Sequence, residues 1–397
     1  MRPDARHGFT HAEPVGLVEL RASLRQDEAI LEYVLGDEAS HVMVITKETF
    51  RVTALPKRAA LKASAERLLS EIRSKRQLAP ALVRNFSSAL LPSEILAKRR
   101  LIVVPDGELH LLPFDVLLGP IGKDLGETHV VSYAPSSTSM HLLRSRPPNR
   151  AEMLPLLAVG GVGLKVGDFN DRAARGTVRT SRGMFDPSGG KLPVLPETEK
   201  EILAIKATLG PRSVTLTREA ATEAAFKHQP LAKFRILHLA VHGLADTKFP
   251  ERSALVLAPA PSEHEDGLLQ VREIAGLRLN ADLVVLSACD TSVGRLEGQE
   301  GMANLVRAFL AAGARNVVSA LWEVDDTYGS ATMKRFYTHL ANGIDPADAL
   351  ARAKRELRQR YGTGIGPFYW APFLAVGASN DPVLGLARRS PGKSQIK

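Results

Sequence analysis

Apolar and polar residues follow two different rhythms along this chain. From residue 101 onward, short apolar runs of strand length alternate with helical segments: "LIVV" (101–104), "LLAVG" (156–160), "SVTL" (213–216), "FRILHLAVHG" (234–243), "SALVLA" (253–258), "DLVVLSA" (282–288), "NVVSALW" (316–322) and "FLAVG" (373–377). Continuous apolar strands separated by helices are the pattern of a parallel sheet covered on both faces. In "GQEGMANLVRAFLAAGA", Met302, Leu305, Val306, Phe309 and Leu310 share one helical face and Gly313 is placed to end the helix. In "GIDPADALARAKRELRQRYG", Asp345 reads as an N-cap with Pro346 at the first helical position. The first 80 residues differ, with an amphipathic helix over 16–26, strand-like "AILEYVL" and "HVMVIT", and a charged helical segment over 56–78. The pattern predicts an α/β protein with a mostly parallel sheet flanked by helices and a small N-terminal mixed α+β subdomain.

Composition narrows the function classes. At 397 residues, 44% hydrophobic and 24% charged, the chain is long enough for two or three compact units. A single cysteine excludes an internal disulfide, and no His/Cys cluster has zinc-ligand spacing, so the fold is expected to stand on packing alone, and a reducing, cytoplasmic setting fits. No apolar run is long enough to cross a bilayer, so no membrane partner is expected. The net charge of +9 lies largely in Arg and Lys on helix-like segments such as "ARAKRELRQR" (351–360), without interleaved aromatics. That arrangement argues against a nucleic-acid partner. Residues 161–194, rich in glycine and carrying Arg172, Arg175, Arg179 and Arg182, read as a long loop, and residues 381–397 as a tail. The G-x-G in "AVGGVGLKVGDF" is followed by no helix-opening pattern and no acidic strand end, which counts against nucleotide binding.

The lone cysteine, Cys289, stands where the apolar run "DLVVLSA" gives way to polar "CDTSVG". By itself that position is equally that of a small buried hydrophobe. In an open parallel sheet, however, ligands bind at the carboxyl ends of strands, and His242 occupies the matching end of "FRILHLAVHG". Two adjacent strands would present imidazole and thiol at one rim, as general base and nucleophile. His238 competes for the role of base, but its flanking Leu237 and Leu239 suit a hydrogen-bonded interior histidine. Gly243 would let a backbone N–H approach a developing oxyanion, and is equally explained as a turn glycine.

The segments "ILHLAVHG", "LVVLSACDT", "GMANLVRAFLAAGARNVVSALWEVDD" and "FYWAPFLAVG" together resemble a CHAT domain, the caspase-related peptidase module also related to separases and metacaspases. The resemblance extends upstream through "LPETEKEI", "LIVVPDGELHLLPFDVL" and "EAILEYVLGDEASHVMVIT", over most of residues 20–378. It implies a caspase-like (caspase-hemoglobinase) fold and a Cys289–His242 dyad without metal or cofactor, with the N–H groups of Gly243 and Cys289 as the oxyanion hole. It also implies a division into an N-terminal mixed subdomain (1–100), a degenerate protease-like half (101–194), an active caspase-like half (195–380) and the tail (381–397). The expected function is a cysteine endopeptidase cutting a protein or peptide substrate, with an activating partner protein, in bacterial regulated proteolysis, cell death or antiphage defence. A silent scaffold that binds proteins is the alternative. For the substrate pocket, Asp290, Trp322 and Asp325 are the candidates, against the plainer roles of core tryptophan and helix N-cap. The arginines of the 161–194 loop fit a plain solvated loop, with self-cleavage there as the alternative.

Overall fold

In a computed structural model of the chain, the residues described are 13–119, 121–146, 152–162, 196–244, 249–259, 265–287, 299–362, 364–378 and 381–384. Eleven strands form one sheet: β1 (Glu28–Val34), β2 (Ser40–Thr46), β3 (Phe50–Leu55), β4 (Arg100–Val104), β5 (Val130–Tyr133), β6 (Leu154–Gly160), β7 (Val214–Thr217), β8 (Phe234–Ala240), β12 (Leu283–Leu286), β13 (Asn316–Ala320) and β14 (Phe373–Gly377). Three short strands, β9 (Gly243–Leu244), β10 (Ala254–Val256) and β11 (Leu268–Gln270), form a second antiparallel sheet. The apolar runs are therefore strands, with two corrections of detail. "FRILHLAVHG" is not one strand, since β8 stops at Ala240 and the chain re-pairs at β9. "SALVLA" supplies β10 to the small sheet and not a member of the large one.

The large sheet runs in the order β3-β2-β1-β4-β5-β14-β13-β12-β8-β6-β7. From β13 to β7 all neighbours are parallel. β14 pairs antiparallel with β13 along its whole length and parallel with β5 through Val376 and Tyr133, so the direction of the sheet reverses at this junction. β5, β4 and β1 are again parallel, and β2 and β3 close the edge as an antiparallel meander. The N-terminal strands thus continue the same sheet.

Helices cover both faces: α1 (Leu17–Ala22), α2 (Arg58–Arg73), α3 (Pro80–Leu90), α4 (Ser137–Ser145), α5 (Pro196–Leu209), α6 (Gln299–Ala312), α7 (Asp326–Ala341) and α8 (Pro346–Tyr361). The predicted inner face of α6 is buried at Leu305, Val306, Phe309 and Leu310, while the side chain of Met302 lies outside the described residues. Gly313 ends α6 as expected, with φ at +121° and its N–H bonded to Leu310 O. Asp345 caps α8 by accepting from Asp348 N, and the same carboxylate takes a two-pronged contact from Arg100 at 2.7 and 3.1 Å.

The basic stretch on α8 departs from a simple solvated face. Lys354 is 3% exposed and donates to Asp115 at 2.9 Å, Arg358 grips Asp124 at 2.8 and 2.9 Å, and Arg355 donates to Gly126 O. All three partners lie between β4 and β5, so cations of the C-terminal part hold the N-terminal part. Their burial is tolerable because each is paired and hydrogen-bonded.

A Cβ added at Gly313 would lie 2.2 Å from Leu279 O, in a backbone region that side chains avoid. Gly313→Ala should lower stability by about 3 kcal/mol in denaturant titration, whereas Gly364→Ala, with open space around it, should change it by under about 1 kcal/mol.

Candidate functional site

β8 and β12 are parallel neighbours in the C-terminal part of the sheet, with Val285 opposite His238 and Leu286 opposite Leu239. The pairing continues one step further, since Ser287 N donates to Leu239 O at 3.0 Å. Both strands end at the same rim: Ala240 is the last residue of β8 and Leu286 the last of β12.

His242 lies two residues beyond β8, where the chain passes from the large sheet to the small one. It is 1% exposed, and its backbone carbonyl accepts from Val256 N at 2.8 Å, which fixes it against β10. Gly243 opens β9 opposite Leu255. Cys289 and Asp290 fall within residues 288–298, outside the described residues. Trp322 is 4% exposed, stacks on Phe368 at 6.1 Å between ring centroids and donates its Nε1–H to Phe368 O. Its indole fills the core of the N-terminal half and offers no open wall to a substrate. Asp325 caps α7, accepting from Thr327 N and Tyr328 N. Of the three pocket candidates, two thus have the plainer roles set beside them, and the third is outside the described residues. The arginines of the 161–194 loop are outside them as well.

His238 is the interior histidine its apolar neighbours predict, fully buried, with Nδ1 2.9 Å from the Tyr337 hydroxyl and Nε2 2.9 Å from Glu201 Oε1. Burial pushes the Tyr337 hydroxyl well above its usual range, so it remains protonated. Glu201, on α5, is the site residue that sequence reasoning missed. It lies within "LPETEKEI", and its neighbour Ile202 points into the core, so the helical pattern contained a hint that this acid sits at the buried edge. Its Oε1 also accepts from the Ser287 hydroxyl at 2.6 Å. Nearby, at the start of α7, burial raises the Asp326 carboxyl, and the negative Asp325, Glu197 and Glu201 add to the rise.

Two other features belong to different places. A cavity of about 80 Å³ lies at the seam of the two halves, against Tyr133, Ser319, Val306 and Arg307, and not at His242. Among the described residues, Glu223, Glu265 and Glu273 come within metal-ligand spacing. The Lys227 ammonium already bonds all three, at 2.7, 2.7 and 2.8 Å, and so supplies the cation they need. No described helix is long and apolar enough to cross a membrane.

The sheet and its flanking helices define a caspase-like fold. Yeast separase, solved from Saccharomyces cerevisiae in complex with securin, superposes with a TM-score of 0.53 at 10% identity, over 94% of this chain and 30% of that one. The Arg-specific cysteine proteinase gingipain R aligns at 8% identity over 77% of this chain and 68% of that one, with a TM-score of 0.46. The CHAT domain family model matches residues 73–378, and the chain belongs to that family. Tetratricopeptide repeat protein 28 of Mus musculus is 26% identical over 326 residues, and its Homo sapiens counterpart 26% over 325. This chain spans about 12% of the length of those curated relatives, which in turn match 70% of it.

The acidic cluster generates a pH prediction. Burial, opposed by Lys227 and reinforced by the Glu265 and Glu273 carboxylates, pushes Glu223 up to about 7 from an ordinary 4.5. Between those values the folded chain holds a proton that the unfolded chain has released. The resulting stability is therefore present below the ordinary glutamate range and lost as pH rises through about 7. Thermal melts from pH 5 to 8 should show Tm falling by a few degrees more in wild type than in Glu223→Gln.

Proposed function

We propose that this protein is a cysteine endopeptidase that cuts partner proteins through a His242–Cys289 dyad. The observation that carries the reading is the register of β8 and β12. Leu239 pairs with Leu286, His242 follows the first by three residues, and Cys289 follows the second by three. Membership of the CHAT family and the caspase-like fold support the same reading.

In this reading His242 removes the thiol proton, and the thiolate attacks the scissile carbonyl, with the N–H groups of Gly243 and Cys289 receiving the oxyanion. The imidazolium protonates the leaving amine, and water then hydrolyses the thioester, with His242 again as base. The half before residue 195 carries no such pair and serves as scaffold. Asp290, next to the nucleophile in sequence, favours a basic side chain at the cleaved position; Asp325, which stays exposed while it caps α7, is the second candidate for that role. The securin complexed with separase in the solved structure supports a protein as substrate or activating partner, and the setting is bacterial regulated proteolysis, including cell death or antiphage defence.

Incubation with a peptide library and candidate partner proteins tests this. Wild type should cleave, and Cys289→Ala and His242→Ala should each reduce kcat/KM by about a thousand-fold or more, with the double variant little worse than either. Cleavage that persists in either single variant would remove the dyad, and a wild type inert towards every partner would favour the scaffold reading.

A further inference from the structure

The buried polar group beneath the rim has no role in the dyad chemistry as written. Polar groups in a sheet–helix interface lose solvation, and an apolar set of similar volume would pack there at lower cost. Here one oxygen, Glu201 Oε1, receives both the His238 imidazole at 2.9 Å and the Ser287 hydroxyl at 2.6 Å. His238 is held from its other side by Tyr337 of α7 at 2.9 Å. The two bonded residues sit on the two strands that lead to the dyad. His238 precedes His242 by four residues on β8, and Ser287 precedes Cys289 by two just past β12.

We propose that Glu201 is a positioning residue for the dyad, its Oε1 pinning the end of β8 through His238 and the end of β12 through Ser287 and so fixing how His242 and Cys289 meet. The inference rests on the endopeptidase reading. Main-chain pairing alone sets the strands' register; among the described residues its last bond at this rim is Ser287 N to Leu239 O, and the side-chain pin acts at that same point. Glu201 is faced by His238 from β8, Ser287 from β12, and Tyr337 and Asp326 from α7, with Glu197 one turn back on α5. Its negative charge would by itself disfavour a nearby thiolate, so any help it gives to Cys289 is through geometry.

Because Cys289 is the only cysteine in the chain, iodoacetamide alkylation reads that thiol alone, without a known substrate. Wild type should show a midpoint below the ordinary cysteine value of about 8.5, raised towards it in His242→Ala. Ser287→Ala and Glu201→Leu should raise the midpoint by about one unit, a roughly ten-fold drop in rate at pH 6.5, in protein that melts cooperatively. Glu201→Gln, whose amide oxygen can accept from both donors, should recover most of the loss. A merely structural role would lower Tm and leave the profile of the folded protein in place. If Ser287→Ala and Glu201→Leu keep the wild-type profile while His242→Ala shifts it, the pin is wrong and the dyad stands; should Glu201→Leu not fold, Ser287→Ala decides. A downward shift in Glu201→Leu would mark a charge effect and overturn positioning. If His242→Ala too leaves the profile unmoved, the dyad reading fails and the pin falls with it.

Discussion

The parallel pairing of β8 with β12 is the constraint on which the rest of this molecule depends. Hydrogen-bond register in a parallel sheet cannot slip by one residue without turning every side chain to the wrong face. With Val285 opposite His238 and Leu286 opposite Leu239, both strands are buried on both sides and both end at one rim. Everything proposed for the site follows from that shared end. His242 leaves the sheet there and is locked by β10, Ser287 bonds across to Leu239, and Glu201 reaches in from α5 to touch both strands.

A second constraint explains why the N-terminal half is needed. β14 and β5 share a single pair, Val376 with Tyr133, so the sheet alone joins the halves weakly. Charge completes the join. Asp115 and Lys354, each about 4% exposed at the side chain, meet at 2.9 Å, and Arg100 grips Asp345, the cap of α8, at 2.7 and 3.1 Å. Removing one member of such a pair strands a buried charge, so these contacts fix the relation of the halves even where their net contribution to stability is modest.

Much of this was legible in the residues. Strands buried on both faces announced themselves as apolar runs, and the caps at Asp345 and Gly313 obeyed local rules. β3 and β5 did not. "FRVTAL" lies at an exposed edge, where Phe50 and Val52 are 43% and 55% accessible, and "VVSY" is only four residues long. The reversal of sheet direction at β14 was invisible, because an antiparallel pairing of residues 316–320 with 373–377 leaves no local mark. At the site, strand ends pointed to His242, and apolar flanks identified His238 as interior. Glu201 escaped notice because an acid on a charged helix looks solvated until the helix is docked. Trp322 misled in the opposite sense, since its place after β13 suggested a pocket and its packing against Phe368 put it in the core.

The central claim is that the β8–β12 register brings His242 and Cys289 together, and the distance between them is its most direct measure. A crystal structure of the wild-type protein carrying a covalent peptide-mimetic inhibitor should place Cys289 Sγ within about 4 Å of a His242 ring nitrogen, the separation that proton transfer needs. A Cys289 side chain turned into the core, roughly 8 Å or more from that imidazole and unreacted, would contradict it.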